Sequence, residues 1–122
     1  MSAEEIVMSF IHAVERKDFA RALTLVTDDV EYDNVPMSKV YGPDGVRSVL
    51  EPFMAGAEEV EWVVHRQLSN GTTVMNERTD RFRIGGRWLE LPVVGIWEIR
   101  DGKIALWRDY FDMPTLTGQM AG

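Results

Sequence analysis

Apolar positions in the first third of the chain recur with helical spacing. Ile6, Val7, Phe10, Ile11 and Val14 fall on one side of a helix, and Ser2 with Glu5 has the spacing of a capping box at its start. Asp18 is placed to cap a second helix whose inner side is Phe19, Ala22, Leu23 and Val26. Gly42-Pro43 opens a third, because a proline in the first helical turn gives up only an N–H that has no partner there. Val46, Val49, Leu50 and Phe53 form its apolar side, and Val30 to Val35, between the second and third helices, reads as a short strand.

The period then changes. Val60–Leu68, Thr72–Ile84, Arg87–Ile99 and Lys103–Asp112 have the alternation of strands, joined through Ser69-Asn70-Gly71, Gly85-Gly86 and Asp101-Gly102. Asn-Gly, Gly-Gly and Asp-Gly suit tight hairpins, whose turns need positive φ. Three in succession predict a four-stranded antiparallel meander. Helices followed by strands predict an α+β fold, with the helices packed on one face of a curved sheet and a pocket between them. No repeat, low-complexity segment or linker divides the chain, so one domain over residues 1–122 is expected.

Polar residues interrupt the inward faces of these strands. Along the second long strand, Val74, Asn76, Arg78, Asp80, Phe82 and Ile84 share a face that is apolar at both ends and polar in the middle. On the last strand Asp109 is the only charge beside Ala105, Trp107 and Phe111. On the early strand Val30 gives way to Tyr32 and Asn34. A buried charge is costly unless paired and hydrogen-bonded, so Asp80, Arg78, Asp109, Tyr32 and Asn34 form one candidate cluster. An arginine between two carboxylates carries net charge −1 with both ionised and none with one protonated. A low-dielectric pocket favours the neutral form and allows an acid and a base to coexist near neutral pH. Periodicity alone equally admits a structural ion-pair network.

Composition narrows the partners. The chain has 122 residues, 20 acidic against 13 basic, and net charge −7, which offers no electrostatic footprint for nucleic acid or an anionic membrane. The absence of cysteine removes disulfides and thiolate chemistry. The acidic start lacks the basic and apolar regions of a signal peptide, so a cytoplasmic protein is expected. His12 and His65 lie on different elements with no third ligand spaced to join them, and no metal or other cofactor is expected.

Tyr32-Asp33-Asn34, the stretch Asn76 to Phe82 and the stretch Trp107 to Asp112 together resemble the limonene-1,2-epoxide hydrolase family, over nearly the whole chain. The resemblance implies a cone-shaped α+β barrel related to the nuclear transport factor 2 and ketosteroid isomerase folds. It also implies an epoxide hydrolase that adds water to a small apolar epoxide in one concerted step, without covalent intermediate. By that resemblance Asp80 is the general acid, Asp109 the general base, Arg78 the bridge between them, and Tyr32 and Asn34 the residues that help hold the water. The chain starts close to its first helix, whereas members of that family often carry a longer leader; this bears on substrate size and not on the chemistry.

Trp107 is expected beside the pocket from its shared face with Asp109, with Phe111, Met37 and Leu91 as further lining. Trp62, Trp88 and Trp97 are assigned to core or interface, Asp112 to the surface at a strand end, and Asp28-Asp29 and Glu58-Glu59 to caps or solvated loops. The resemblance further implies a homodimer in which the sheet face bearing Glu77, Arg81 and Arg83 packs on a second subunit, as sheets do in this fold family. Two other functions fit the same scaffold: a proton-shuttling isomerase or polyketide-type cyclase, which needs one carboxylate base and no bridging arginine, and a non-catalytic small-molecule binder, which leaves the charged trio unexplained.

Overall fold

The structure is a computed structural model and describes residues 1–121. Helix α1 (Ala3–Glu15) starts at the expected capping box: the Glu5 N–H donates to Ser2 Oγ at 3.2 Å and the Ser2 N–H to Glu5 Oε1 at 2.9 Å. Its five apolar positions are all buried, and Phe10, fully enclosed, contributes about 1.5–3 kcal/mol by leaving water. Helix α2 (Phe19–Leu23) is capped by Asp18, which accepts from the Arg21 N–H at 3.1 Å. It is shorter than the apolar spacing suggested. Val26 belongs to strand β1 (Val26–Asn34), which begins four residues before the expected Val30. Asp28 and Asp29 are therefore exposed strand positions and not caps.

A short strand β2 (Lys39–Tyr41), absent from the sequence reading, pairs antiparallel with β1 and leads into α3 (Gly42–Ala55). Strands β3 (Glu59–Ser69), β4 (Thr73–Ile84), β5 (Arg87–Arg100) and β6 (Lys103–Tyr110) form the expected meander. Its turns at Gly85-Gly86 and Asp101-Gly102 have positive φ at both residues, as primed hairpins require. A final helix α4 (Met113–Ala121) was not foreseen. Asp112 opens it: its Oδ2 accepts from the Thr115 N–H at 3.1 Å, so the residue assigned to a strand end is a helix cap.

The six strands run in the order β2-β1-β6-β5-β4-β3 in one curved sheet that does not close. The β1–β6 pairing is parallel and brings Asn34 level with Asp109. The early polar strand is thereby set against the last one. The concave face packs on α1, α2 and α3 through the main apolar cluster, which includes Phe10, Val30, Met54, Trp62, Trp97 and Trp107. No described helix is long and apolar enough to cross a membrane.

Candidate active site

Strand alternation aims Asn76, Arg78 and Asp80 of β4 to the concave side, and Asp109 reaches the same place from β6 across β5. The Arg78 guanidinium lies between the two carboxylates and grips each with two bonds. Its Nε donates to Asp80 Oδ1 at 2.9 Å and its Nη2 to Asp80 Oδ2 at 3.0 Å. On the other side Nη2 donates to Asp109 Oδ2 at 2.8 Å and Nη1 to Asp109 Oδ1 at 3.2 Å. The Arg78 side chain is wholly enclosed. Planar fork geometry is what allows one cation to serve two anions this way; a lysine could not.

The register explains how the arginine spans two strands. Asn76, Gly95 and Asp109 form one row across β4, β5 and β6. A Cβ at Gly95 would sit 2.4 Å from Arg78 Nη1 and 2.9 Å from both Asn76 Oδ1 and Asp109 Oδ1. The bridge passes directly over the missing side chain. Asn76 Oδ1 accepts from Arg78 Nη1 at 3.1 Å and from the Trp97 indole at 3.2 Å, while the Trp107 indole donates to Asp109 Oδ1 at 2.8 Å. Trp107 stacks between Tyr32 (centroids 4.0 Å apart) and Trp97 (4.8 Å). The carboxylate thus rests on a rigid aromatic column.

Burial sets the protonation pattern. Leaving water pushes the Asp80 carboxyl up to about 6, the charges of Asp109 and Glu15 add to the rise, and Arg78 opposes it. Burial also raises the Tyr32 phenol far above its ordinary value, with Asp109 adding to it, so the hydroxyl keeps its proton. Burial alone would weaken the Arg78 cation, but the carboxylates of Asp109 and Asp80 hold it charged. One titratable carboxyl therefore stands near neutrality, 2.9 Å from a permanent cation that also holds a second carboxylate.

The cluster lies at the polar end of a cavity of about 450 Å³. Tyr32, Asn34, Asp80 and Asp109 supply its polar wall, and the rest is almost wholly apolar. Met37, Leu91 and Phe111 line it as expected. Trp107 does not: it sits behind the wall, bonded to Asp109. Trp62 is in the core as expected, and it also lines the cavity, level with Asp80 across the β3–β4 pair.

The chain matches the family model of the limonene-1,2-epoxide hydrolase catalytic domain over residues 1–121. The chain belongs to the limonene-1,2-epoxide hydrolase family. It is 36% identical to the epoxide hydrolase EphG of Mycobacterium tuberculosis over 107 residues, 88% of this chain and 71% of that protein. A solved M. tuberculosis LEH-like epoxide hydrolase superposes with a TM-score of 0.82 at 34% identity, covering 97% of this chain and 89% of that one. A SnoaL-like polyketide cyclase structure from Shewanella putrefaciens reaches a TM-score of 0.87 at only 16% identity, over 97% of this chain and 95% of that one. That similarity extends the fold, and not a reaction, beyond the limonene-1,2-epoxide hydrolase family.

Several members of the site lie outside the cluster expected from strand alternation: Asn76, which shares the inward face of β4 with Arg78 and Asp80, and Gly95 and Glu15, which reach the site from β5 and α1. Glu15, on α1, accepts from the Trp62 N–H at 2.9 Å and adds negative potential at Asp80. Leu116, Thr117 and Met120 line the cavity from α4, the helix that the sequence reading did not contain.

Proposed function

We propose that this protein hydrolyses an apolar epoxide to a vicinal diol by direct attack of water in one concerted acid–base step. The observation that carries the reading is the doubly bidentate Arg78 bridge between Asp80 and Asp109 at the polar end of an apolar cavity. In the proposed step Asp109 takes a proton from a water held with Tyr32 and Asn34, and the water oxygen bonds to one epoxide carbon. The carbon–oxygen bond at that carbon breaks, and its electron pair takes the proton of Asp80. The alkoxide is a poor leaving group, so attack and protonation assist each other, each worth roughly 10²- to 10⁴-fold. Water and epoxide are consumed, the diol is formed, and the proton gained by Asp109 returns to Asp80 after turnover. Two carboxyls supply both proton transfers, so the step calls for no metal.

The substrate class follows from the walls. Arg78 spends its donors on two carboxylates and Asn76, leaving no free cation among the cavity's polar residues for an anionic substrate. An uncharged hydrocarbon body with the epoxide at the polar end fits such a surface. The homodimer is part of the proposal: Met75, Val94 and Tyr110 are exposed large apolar residues on the convex sheet face, with Val94 level with Tyr110.

The test is a panel of cyclic and acyclic epoxides with chiral analysis of the diols. Asp80→Asn and Asp109→Asn are expected to lower diol formation by roughly 10²-fold or more each, Tyr32→Phe less so, and exhaustive chelation not at all. Turnover of no epoxide, or near-normal turnover by Asp109→Asn with retained circular dichroism, would reject the reading and move the case to an isomerase, a cyclase or a binding protein.

A further inference from the structure

Strand β6 stops pairing with β5 at Val94, so the stretch of β5 before it has β4 on one side and no strand on the other. Such an edge presents unpaired N–H and C=O groups. At Glu90 both are occupied by one side chain: the Glu90 N–H donates to Gln119 Oε1 at 2.8 Å, and Gln119 Nε2 donates to Glu90 O at 2.8 Å. The carboxamide of Gln119 thus does what an adjacent strand would do. The joint is reinforced by Arg87, whose Nη2 donates to the Gln119 carbonyl at 2.8 Å. Gln119 Nε2 also reaches Thr115 O at 2.8 Å, which fixes the side chain along its own helix.

That helix is one wall of the cavity. Met113, Leu116, Thr117 and Met120 face the cavity from α4, and α4 packs on β5. Its buried anchor, Leu116, sits with Leu91 and Val93 in a small apolar cluster that shares Phe53 with the main core. The wall can therefore move while the core beneath α1 stays intact, as expected of an element with few apolar contacts of its own. Glu90 is exposed and Gln119 half-buried, so the joint lies at the rim, away from the charged trio.

We infer that Gln119 is a positioning residue that sets which substrates the cavity admits, by clamping α4 to the free edge of β5 at Glu90. The side chain does not line the cavity; it acts through Leu116 and Met120, which do. With the clamp closed, the α4 wall limits the width of the hydrocarbon body. With it loosened, wider substrates enter and narrow ones are held less closely. For its substrates the inference rests on the epoxide hydrolase reading, but the clamp has physical signatures of its own.

The test uses the full chain and Gln119→Met, which keeps the side chain's length and removes its donor and acceptor. The site is at the surface, so the variant keeps its core. Of the three side-chain hydrogen bonds lost, the two to Glu90 hold the joint, and their loss is expected to speed hydrogen exchange of the Glu90 amide roughly tenfold or more. Association of the neutral apolar fluorophore N-phenyl-1-naphthylamine with the cavity should quicken severalfold. Kinetically, KM for 1,2-epoxyhexane should rise while kcat/KM for the wider trans-stilbene oxide rises relative to it, with Leu116→Ala shifting the same ratio in the same direction. Unchanged exchange at Glu90 overturns the clamp, and faster exchange with an unchanged ratio and fluorophore rate overturns its role in admission. If the wild-type chain turns over no epoxide, the hydrolase reading fails, while exchange and fluorophore entry still decide the clamp.

Discussion

Replacing Gly95 with alanine adds one methyl group and should disable the site. A glycine within a strand is ordinarily less stable than alanine by about 0.5–1 kcal/mol, so the intrinsic effect of the change is favourable. The surroundings reverse it. The new Cβ would lie 2.4 Å from Arg78 Nη1, and ordinary contact requires at least 3.4 Å, so the guanidinium must give way by about an ångström. It cannot do so and keep its bonds from Nη1 to Asn76 Oδ1 (3.1 Å) and Asp109 Oδ1 (3.2 Å). The Asp109 oxygen is itself 2.9 Å from the added carbon and is tied at 2.8 Å to the Trp107 indole. Hydrogen bonds to charged groups are worth about 1.5–3 kcal/mol each, so losing both Nη1 bonds outweighs the backbone gain and leaves a net loss of about 2–5 kcal/mol. Misplacing a reacting group by an ångström lowers turnover by about 10²-fold. The assay pairs chemical denaturation with diol formation, and Gly56→Ala, where nothing lies within 4 Å of the new Cβ, is the control. A Gly95→Ala protein as stable as wild type and comparably active would refute the claim that the bridge depends on the absent side chain.

Two further outcomes follow from the same structure. The Asp80 carboxyl is raised from 3.8 to about 6 in the folded chain, so it contributes stability that is complete below its unfolded value and lost as pH rises through about 6; thermal midpoints of Asp80→Asn should lack the part of the decline between pH 4 and 7 that wild type shows, and parallel curves would contradict the raised carboxyl. Val94→Glu, on the exposed convex row with Tyr110, should convert a dimer to monomers in sedimentation velocity without altering the circular dichroism spectrum, and a wild-type chain that sediments as a monomer would remove the proposed interface.

The hairpins and the polar cluster were legible because their signals are local. Gly85-Gly86 and Asp101-Gly102 need positive φ, and the alternation of β4 puts Asn76, Arg78 and Asp80 on one face whatever the neighbours do. What lay hidden depends on register between distant strands. That Gly95 stands between Asn76 and Asp109 cannot be read until β4, β5 and β6 are aligned, although a lone glycine inside a strand does signal a close approach. Trp107 shares a face with Asp109 as expected, but the inward face has depth. Tyr32 stacks on its ring from one side and Trp97 from the other, which places it behind the cavity wall, while the buried Trp62 lines the cavity. Helix α4 is not legible in the sequence because the run is short, carries Gly118 in its interior, and owes its helicity to the Asp112 cap and to docking on β5. Val26 was drawn into α2 by spacing alone; the chain instead leaves the helix after Leu23 and pairs Val26 with Ile104.

The central claim, that Asp109 activates water instead of attacking the substrate, is tested most directly by a single turnover in ¹⁸O-water with unlabelled enzyme in excess over epoxide. Attack by water gives one labelled oxygen in nearly every diol molecule and leaves the protein unlabelled. Attack by an aspartate would place the enzyme's own oxygen in the first product, so unlabelled diol with ¹⁸O retained in a carboxylate of Asp80 or Asp109 would contradict the account.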